Sequence, residues 1–173
     1  MIISIEDAKK YINTNDEDSV LEAKLQALEL LIRKYTNNNF QKRAFRSLGT
    51  IEGGKLYCDT YFFKEGDTVE ISDSYFNEGL LVVKGMTEGA IPCEGYLDET
   101  DVLVTKVEYP VDVVMGVVNM LRWDMENRAK VGIQSETLSR HSVTYFNMDG
   151  DNSVMGYPKS VLGFLRPYMK ARF

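Results

Sequence analysis

The first part of the chain carries apolar residues at helical spacing. Over residues 17–35 they recur at steps of three and four with charged residues between them, which predicts an amphipathic helix about 30 Å long. A shorter helix is predicted over residues 5–12, because Ser4 and Asp7 have the spacing of a capping box with a shorter acid. The asparagines at 37–39 should end the long helix, since asparagine tolerates left-handed conformations.

Residues 47–109 change character, because glycines separate short runs of aromatic and β-branched residues. Such runs are typical of strands. We interpret this segment as a small antiparallel β domain inserted into a helical framework. The strands are predicted at residues 55–58, 68–71, 80–84 and 102–107.

A second long helix is predicted over residues 111–128, opened by Pro110, whose missing amide proton costs nothing at a helix start. Its sequence is apolar on most sides, so several neighbours must cover it. We expect it to pack against the helix over residues 17–35. Gly116 should let one neighbour approach closely, although a helical glycine costs ~1 kcal/mol relative to alanine.

Residues 133–146 alternate with a period of two, which favours an extended or hairpin segment. Neither face is cleanly apolar, so the register is weakly specified internally and the segment is a candidate for pairing with another chain. A polar loop is predicted over residues 147–156. Pro158 should open a last short helix that runs to about Phe164, and Pro167 should bend or stop it.

The end of the chain is basic and aromatic, whereas the whole chain has a formal net charge of -6. A terminus of this kind frays unless a surface accepts it. The overall acidity argues against general binding of duplex DNA, which needs a basic face to neutralise phosphates. The cationic and aromatic residues of this end are Lys159, Arg166, Lys170 and Arg172, and Tyr157, Phe164, Tyr168 and Phe173.

Catalytic and metal-binding patterns are missing from the sequence, so we expect no enzyme, no metal and no cofactor. The sole histidine, His141, is better read as a surface residue than as a base. Residues 149–153 begin like a calcium loop but lack its glycine and its bidentate glutamate, which favours a polar turn. Cys58 and Cys93 have no metal-like spacing and are expected to be reduced thiols. Neither a signal peptide nor a membrane span is predicted, which indicates synthesis in a cytosol.

Several of these segments together resemble a known family. They are the capped short helix, the helix ending in residues 35–40, the apolar helix after Pro110, residues 132–145 and the closing tail. This combination is similar to the head-tail connector (adaptor) proteins of long-tailed bacteriophages, over about 110 residues. The resemblance implies an α+β fold with a helical connector core, built from long central helices and short terminal helices, over residues 1–46 and 110–173. Residues 47–109 would be an inserted small antiparallel β domain.

The resemblance also implies a structural role in the virion neck, without catalysis. Members form a ring, commonly of twelve subunits, below the portal protein, extend the DNA channel, and provide a platform for the head-closure or stopper protein. DNA would pass without sequence-specific binding, and no membrane is involved. The tail residues expected to bind the portal are Phe164, Leu165, Arg166, Pro167, Tyr168, Met169, Lys170, Arg172 and Phe173. The residues expected to join neighbouring subunits are Ile133, Ser135, Glu136, Leu138, Arg140, His141, Val143 and Tyr145.

Two alternatives belong to other classes of protein. A DNA-binding accessory protein of phage packaging or assembly would place the cations of the tail on phosphates, with salt-dependent affinity. A hydrolase would depend on His141 and would lose activity when this residue is replaced.

Overall fold

The computed structural model describes residues 1–128, 131, 135–138, 141–144 and 151–171, and for 135–138 and 141–144 it describes the strand pairing alone. The chain divides into two compact units. The sheet unit comprises Met1–Ser4 and Asn37–Tyr109, and the helical unit comprises Ile5–Thr36 and Pro110–Phe173. Each unit has buried apolar residues of its own.

The strands of the sheet unit are β1 (Gln41–Glu52), β2 (Lys55–Cys58), β3 (Thr68–Ser72), β4 (Gly79–Val82), β5 (Ala90–Pro92) and β6 (Glu99–Val107). They pair antiparallel in the order β4-β3-β6-β1-β2-β5, and the sheet curls into a half-barrel. A short 3-10 helix (Thr60–Phe62) follows β2. Gly53 and Gly54, with φ of 57° and 74°, form the two-residue turn between β1 and β2. Both positions require a positive φ, which glycine adopts without strain.

Buried side chains from all strands but β4 form the core of the sheet unit together with neighbouring loop residues. Successive residues of β3 from Thr68 to Ile71 are all buried, and because neighbouring side chains of a strand point to opposite faces, β3 is covered on both faces and even its charged Glu70 is buried. A buried carboxylate needs hydrogen-bond donors. Asn39 Nδ2 and Gln41 Nε2 supply them, at 3.0 and 2.9 Å. The core residues are Ile51, Leu56, Phe63, Val69, Ile71, Val83, Ile91, Cys93, Val102 and Val104.

The elements of the helical unit are α1 (Ile5–Tyr11), α2 (Asp18–Thr36), α3 (Val111–Asn127), β7 (Ser135–Leu138), β8 (His141–Thr144), β9 (Ser153–Val154), β10 (Tyr157–Pro158) and a C-terminal 3-10 helix (Gly163–Tyr168). α2 packs against α1, α3 and the 3-10 helix. β7 pairs with β8, and β9 with β10, in two separate antiparallel hairpins. The fully buried residues of this unit include Leu21, Leu25, Ile32, Met120, Leu121 and Leu165.

The predictions for individual elements are largely confirmed. All three predicted long or capped helices are present within one or two residues of their expected bounds, and α3 packs against α2. Asn37 follows α2 with φ of 50°, the left-handed conformation expected of an asparagine that ends a helix. Strands occur at all four predicted places.

The predicted fold class, a helical connector core with a small inserted β domain, is wrong. The described part of the structure is dominated by the curled six-stranded sheet, and its three α-helices do not form a long-helix connector core. β1 is 12 residues long and begins at Gln41, so residues 41–46, predicted as part of the helical core, belong to the sheet. The reason is physical: the strands bury an apolar core of their own, which makes the sheet a principal layer of the fold.

The last helix also differs from its prediction. Pro158 lies in β10, paired with Ser153, and does not open a helix. The C-terminal 3-10 helix starts later, at Gly163, and Pro167 lies inside it. A 3-10 helix this short has few internal hydrogen bonds, so it tolerates a residue without an amide proton.

Candidate assembly surfaces

The C-terminal 3-10 helix is anchored on the helical unit by residues of the tail, which the resemblance to connector proteins leads us to expect at the portal. Leu165 is fully buried. The ring of Phe164 lies against Gly116 of α3, where an added β-carbon would come within 2.5 Å of three ring carbons. The prediction that Gly116 admits a close neighbour is therefore confirmed, and the neighbour is Phe164. Part of the apolar surface of the tail is therefore buried against other residues of its own chain.

Two hydrogen bonds extend this anchor toward the end of the chain. The Tyr168 hydroxyl contacts both carboxylate oxygens of Asp112 at 2.8 Å. This hydrogen bond raises the pKa of Tyr168 above its ordinary value. The backbone amide of Lys170 donates to the carbonyl of Thr36 at 2.8 Å, which satisfies an acceptor at the end of α2.

The other described residues of the tail point toward solvent. Met169 is 50% exposed, and Arg166, Pro167 and Lys170 are also exposed. The tail thus has an inner set that holds it in place and an outer set that is accessible to a partner. The outer set is Arg166, Pro167, Met169 and Lys170. Arg172 and Phe173 lie outside the described residues.

An open cleft of about 590 Å³ lies on α3 beside the 3-10 helix. Its charged side chains are Asp112, Arg122 and Glu126. Asp112 is engaged by Tyr168, and Arg122 donates to the carbonyl of Tyr11 at 2.9 Å, which ties α1 to α3. No nucleophile with a neighbouring base is found among the described residues of the cleft. The cleft is lined by Asp112, Met115, Gly116, Asn119, Arg122, Trp123, Glu126, Ser160, Val161 and Phe164.

A compact polar and aromatic cluster fixes the β9–β10 hairpin on α3. The guanidinium of Arg128 lies 4.8 Å from the ring centre of Tyr157 and 5.3 Å from that of Trp123. Its Nε donates to Asp124 at 2.7 Å, and the hydroxyl of Tyr157 donates to the same carboxylate. Burial raises the pKa of Tyr157 above its ordinary value, and the bond to Asp124 raises it further.

The alternating segment forms the predicted hairpin where it is described. β7 and β8 pair antiparallel, with Ser135 opposite Thr144 and Leu138 opposite His141. Among the described strands, these two pair only with each other. The predicted inter-subunit residues Ser135, Glu136, Leu138, His141 and Val143 lie on the two strands. Ile133, Arg140 and Tyr145 lie outside the described residues.

A loop in the sheet unit displays two aromatic residues that the sequence did not single out. Loop 73–78 joins β3 to β4, and in it Tyr75 is 93% exposed and Phe76 is 68% exposed. Asn77 of the same loop is buried and exchanges hydrogen bonds with the backbone of Leu97, at 2.9 Å each. Its Nδ2 also donates to Glu99 at 2.8 Å.

The carboxylate of Glu99 completes the support of this loop. It accepts from the hydroxyl of Ser74 at 2.5 Å and from the amide of Tyr75 at 2.6 Å. The Ser74 hydroxyl, followed by the Tyr75 amide and Asn77, lowers the pKa of Glu99 below its ordinary value. The exposed aromatic side chains are therefore carried by a hydrogen-bonded scaffold. In the sequence, Tyr75 and Phe76 look like the aromatic residues of an ordinary strand, so the sequence analysis did not single them out.

A second exposed aromatic group lies where β1 meets the first 3-10 helix. The Phe45 ring stacks on Phe62 at 5.3 Å, and Tyr61, which is 88% exposed, packs edge-on against Phe62. The ammonium of Lys42 lies 4.9 Å from the centre of the Phe45 ring. Arg43 beside it is exposed. We call Lys42, Arg43, Phe45, Tyr61 and Phe62 the basic aromatic patch.

The described part of the chain has few groups that could act as a nucleophile or bind a metal ion. Cys58 and Cys93 are free thiols. Burial, with a contribution from Asp59, raises the pKa of Cys58 from 9.0 to about 11, which disfavours the thiolate. No cluster of potential metal ligands occurs among the described residues. None of the described helices is long and apolar enough to cross a membrane. The side chain of His141 and residues 149–150 are not among those described, whereas residues 151 and 152 form a turn before β9.

Comparison with known proteins finds no family model that matches this chain and no significant match to a curated protein.

Proposed function

We propose that this protein is a structural subunit of the head-tail connector ring of a tailed bacteriophage. It would bind the portal protein, extend the DNA channel, and offer a platform to the head-closure protein. Its site of action would be the neck of the virion, after synthesis in the bacterial host. The role would be assembly, without catalysis. The support comes from the resemblance in residues 132–145 and the tail, and from the surfaces described above.

The β7–β8 hairpin is the observation that carries this proposal. Among the described strands it has no third partner, and an isolated two-stranded hairpin is marginally stable at best in water. A strand edge of a second copy would stabilise it by β-augmentation. In a ring, one face of each subunit meets a different face of its neighbour, so every subunit would both donate and receive such a contact.

The tail contributes the second contact in this proposal. Phe164, Leu165 and Tyr168 hold the 3-10 helix on the helical unit, so the portal would meet the exposed Arg166 and Met169 and the residues that follow. A pre-anchored tail has less conformational entropy to lose on binding than a free one. Repetition of a weak contact around a ring would raise the total affinity.

Co-sedimentation with the portal protein of the same virion tests the proposal. The wild-type chain should sediment with the portal. The variant Arg166→Glu/Met169→Ser should bind the portal about tenfold more weakly, as expected for loss of central interface residues. Leu30→Ser, on the exposed face of α2, is the matched control and should bind like the wild type. Absence of any complex with the wild-type chain would refute the proposal.

The exposed cations of the tail also suit the alternative role, a DNA-binding accessory protein of phage packaging or assembly. Arg166 and Lys170 are both accessible to phosphates. Binding to duplex DNA that weakens steeply with salt, and that Arg166→Glu/Lys170→Glu abolishes, would favour this alternative. The net charge of -6 favours the connector, since an acidic subunit lets DNA slide past it.

A further inference from the structure

We propose that the sheet units of neighbouring copies bind head to tail, with loop 73–78 of one copy on the basic aromatic patch of the next. The inference rests on the proposed ring, which requires contacts of this heterologous kind. It assigns a role to the sheet unit, which the resemblance to connector proteins leaves without one.

Loop 73–78 has the features of a preformed binding element. Tyr75 is almost fully exposed and Phe76 is about two-thirds exposed, although Asn77 beside them is buried and Glu99 holds the loop through three donors. Leu97, which exchanges hydrogen bonds with Asn77, is itself 58% exposed and extends the apolar surface. Aromatic residues on a fixed backbone lose little entropy on binding and are enriched at interface hot spots.

The charge around this loop is negative. Asp73, Glu78 and Asp98 are exposed around the two aromatic side chains, and Glu99 lies beneath them with its pKa lowered by the Ser74 hydroxyl. A partner surface should therefore combine apolar area with positive charge.

The basic aromatic patch of the same chain has this combination. Tyr61 and the stacked pair Phe45 and Phe62 supply apolar area, and Lys42 covers the Phe45 ring. Lys42 is paired with Glu108, so the excess positive charge of the patch comes from Arg43.

The two surfaces lie at opposite ends of β6 and cannot reach each other within one sheet unit. Glu99, at the start of β6, supports loop 73–78. Thr105, near the end of β6, is the register partner of Arg46, which directly follows Phe45 of the patch in β1. The intervening six steps of strand separate them by about 20 Å at ~3.3 Å per residue. Complementary surfaces at opposite ends of one subunit favour head-to-tail contacts between copies.

Cross-linking between two different single-site variants tests this contact. Both chains carry Cys58→Ser, and one adds Phe76→Cys while the other adds Ala44→Cys, which are exposed positions and leave Tyr75 and Arg43 in place. A short bismaleimide should give a cross-linked heterodimer in the mixture and little product from either variant alone. A chain with Leu30→Cys in place of Ala44→Cys is the matched control and should give little product.

Charge reversal supplies the second readout. Glu78→Lys in the first chain should lower the yield about two- to fivefold, and adding Arg43→Glu to the second chain should restore it. Yields no higher than those of the Leu30→Cys control would overturn the inference, as would equal cross-linking of each variant with itself. Portal sedimentation of the same variants separates the two ideas. Binding to the portal without cross-linking refutes only the head-to-tail contact, and cross-linking without binding to the portal refutes only the connector function.

Discussion

The contact between Gly116 and Phe164 predicts that Gly116→Ala changes the free energy of unfolding in opposite directions with and without the Phe164 ring. Gly116→Ala would place a β-carbon within 2.5 Å of three carbons of the Phe164 ring. Carbon atoms at their optimal separation are about 3.5–4.0 Å apart, so the ring must move by at least ~1 Å. Overpacking of this kind costs about 1–3 kcal/mol. Alanine in place of a helical glycine returns ~1 kcal/mol. The net change should be a destabilisation of about 0–2 kcal/mol.

The same substitution should have the opposite effect once the ring is removed. In a Phe164→Ala background the three atoms nearest to the new methyl group are gone, so Gly116→Ala should stabilise the helical unit by ~1 kcal/mol. The two backgrounds then differ by about 1–3 kcal/mol, which is the coupling energy of a double-mutant cycle.

Urea unfolding followed by the fluorescence of Trp123 measures this difference. Trp123 is the sole tryptophan of the chain and lies on α3, so its signal reports the unit that contains the contact. Gly116→Ala in a chain with Ser160→Ala, another residue that lines the cleft, is the control and should behave as in the wild type. The same stabilisation by Gly116→Ala with and without Phe164 would refute the proposed packing of the tail on α3.

Three further predictions concern single groups. Tyr157→Phe should lower the free energy of unfolding by about 1–2 kcal/mol, because it removes a hydrogen bond to the charged Asp124. The raised pKa of Tyr157 means that its contribution is fully present below the unfolded pKa of about 10 and is lost as pH rises above it, so the gap between wild type and variant in urea unfolding should shrink above pH ~10. Asn77→Ala should cost about 1–3 kcal/mol in unfolding followed by circular dichroism, since it leaves both backbone groups of Leu97 without their partner, whereas the exposed Asn119→Ala should change stability by less than about 0.5 kcal/mol. Cys58, with a pKa of about 11, should react with iodoacetamide at pH ~8 roughly 100-fold more slowly in the folded chain than in urea, and comparable rates would contradict its burial.

The local elements of this protein were predictable from its sequence. Amphipathic spacing placed α2, the apolar run after Pro110 placed α3, and the asparagine at 37 marked the end of α2. Each of these signals acts over a few residues, through helix periodicity, the fixed φ of proline, or the left-handed tolerance of asparagine. The hairpin of β7 and β8 likewise followed from a period of two.

That the sheet, and not the helices, dominates the fold could not be predicted from such local signals. The start of β1 carries polar and charged residues, and it joins the sheet because it pairs with the end of β6, more than fifty residues later. Such pairing depends on backbone hydrogen bonds between distant segments, which leave little trace in local composition. The interpretation of residues 41–46 as part of a helical core was wrong for this reason.

For the candidate surfaces, too, some features follow from the sequence and others only from the tertiary structure. Sequence alone determined which side chains are available: an aromatic, cationic tail, an alternating segment, and a glycine in an apolar helix. Only the tertiary structure decided that Phe164 is the neighbour of that glycine, and that Glu99 and Asn77 hold Tyr75 and Phe76 outward. A residue type sets which interactions are possible, but burial and exposure depend on which distant residues pack beside it, and packing is a property of the folded chain.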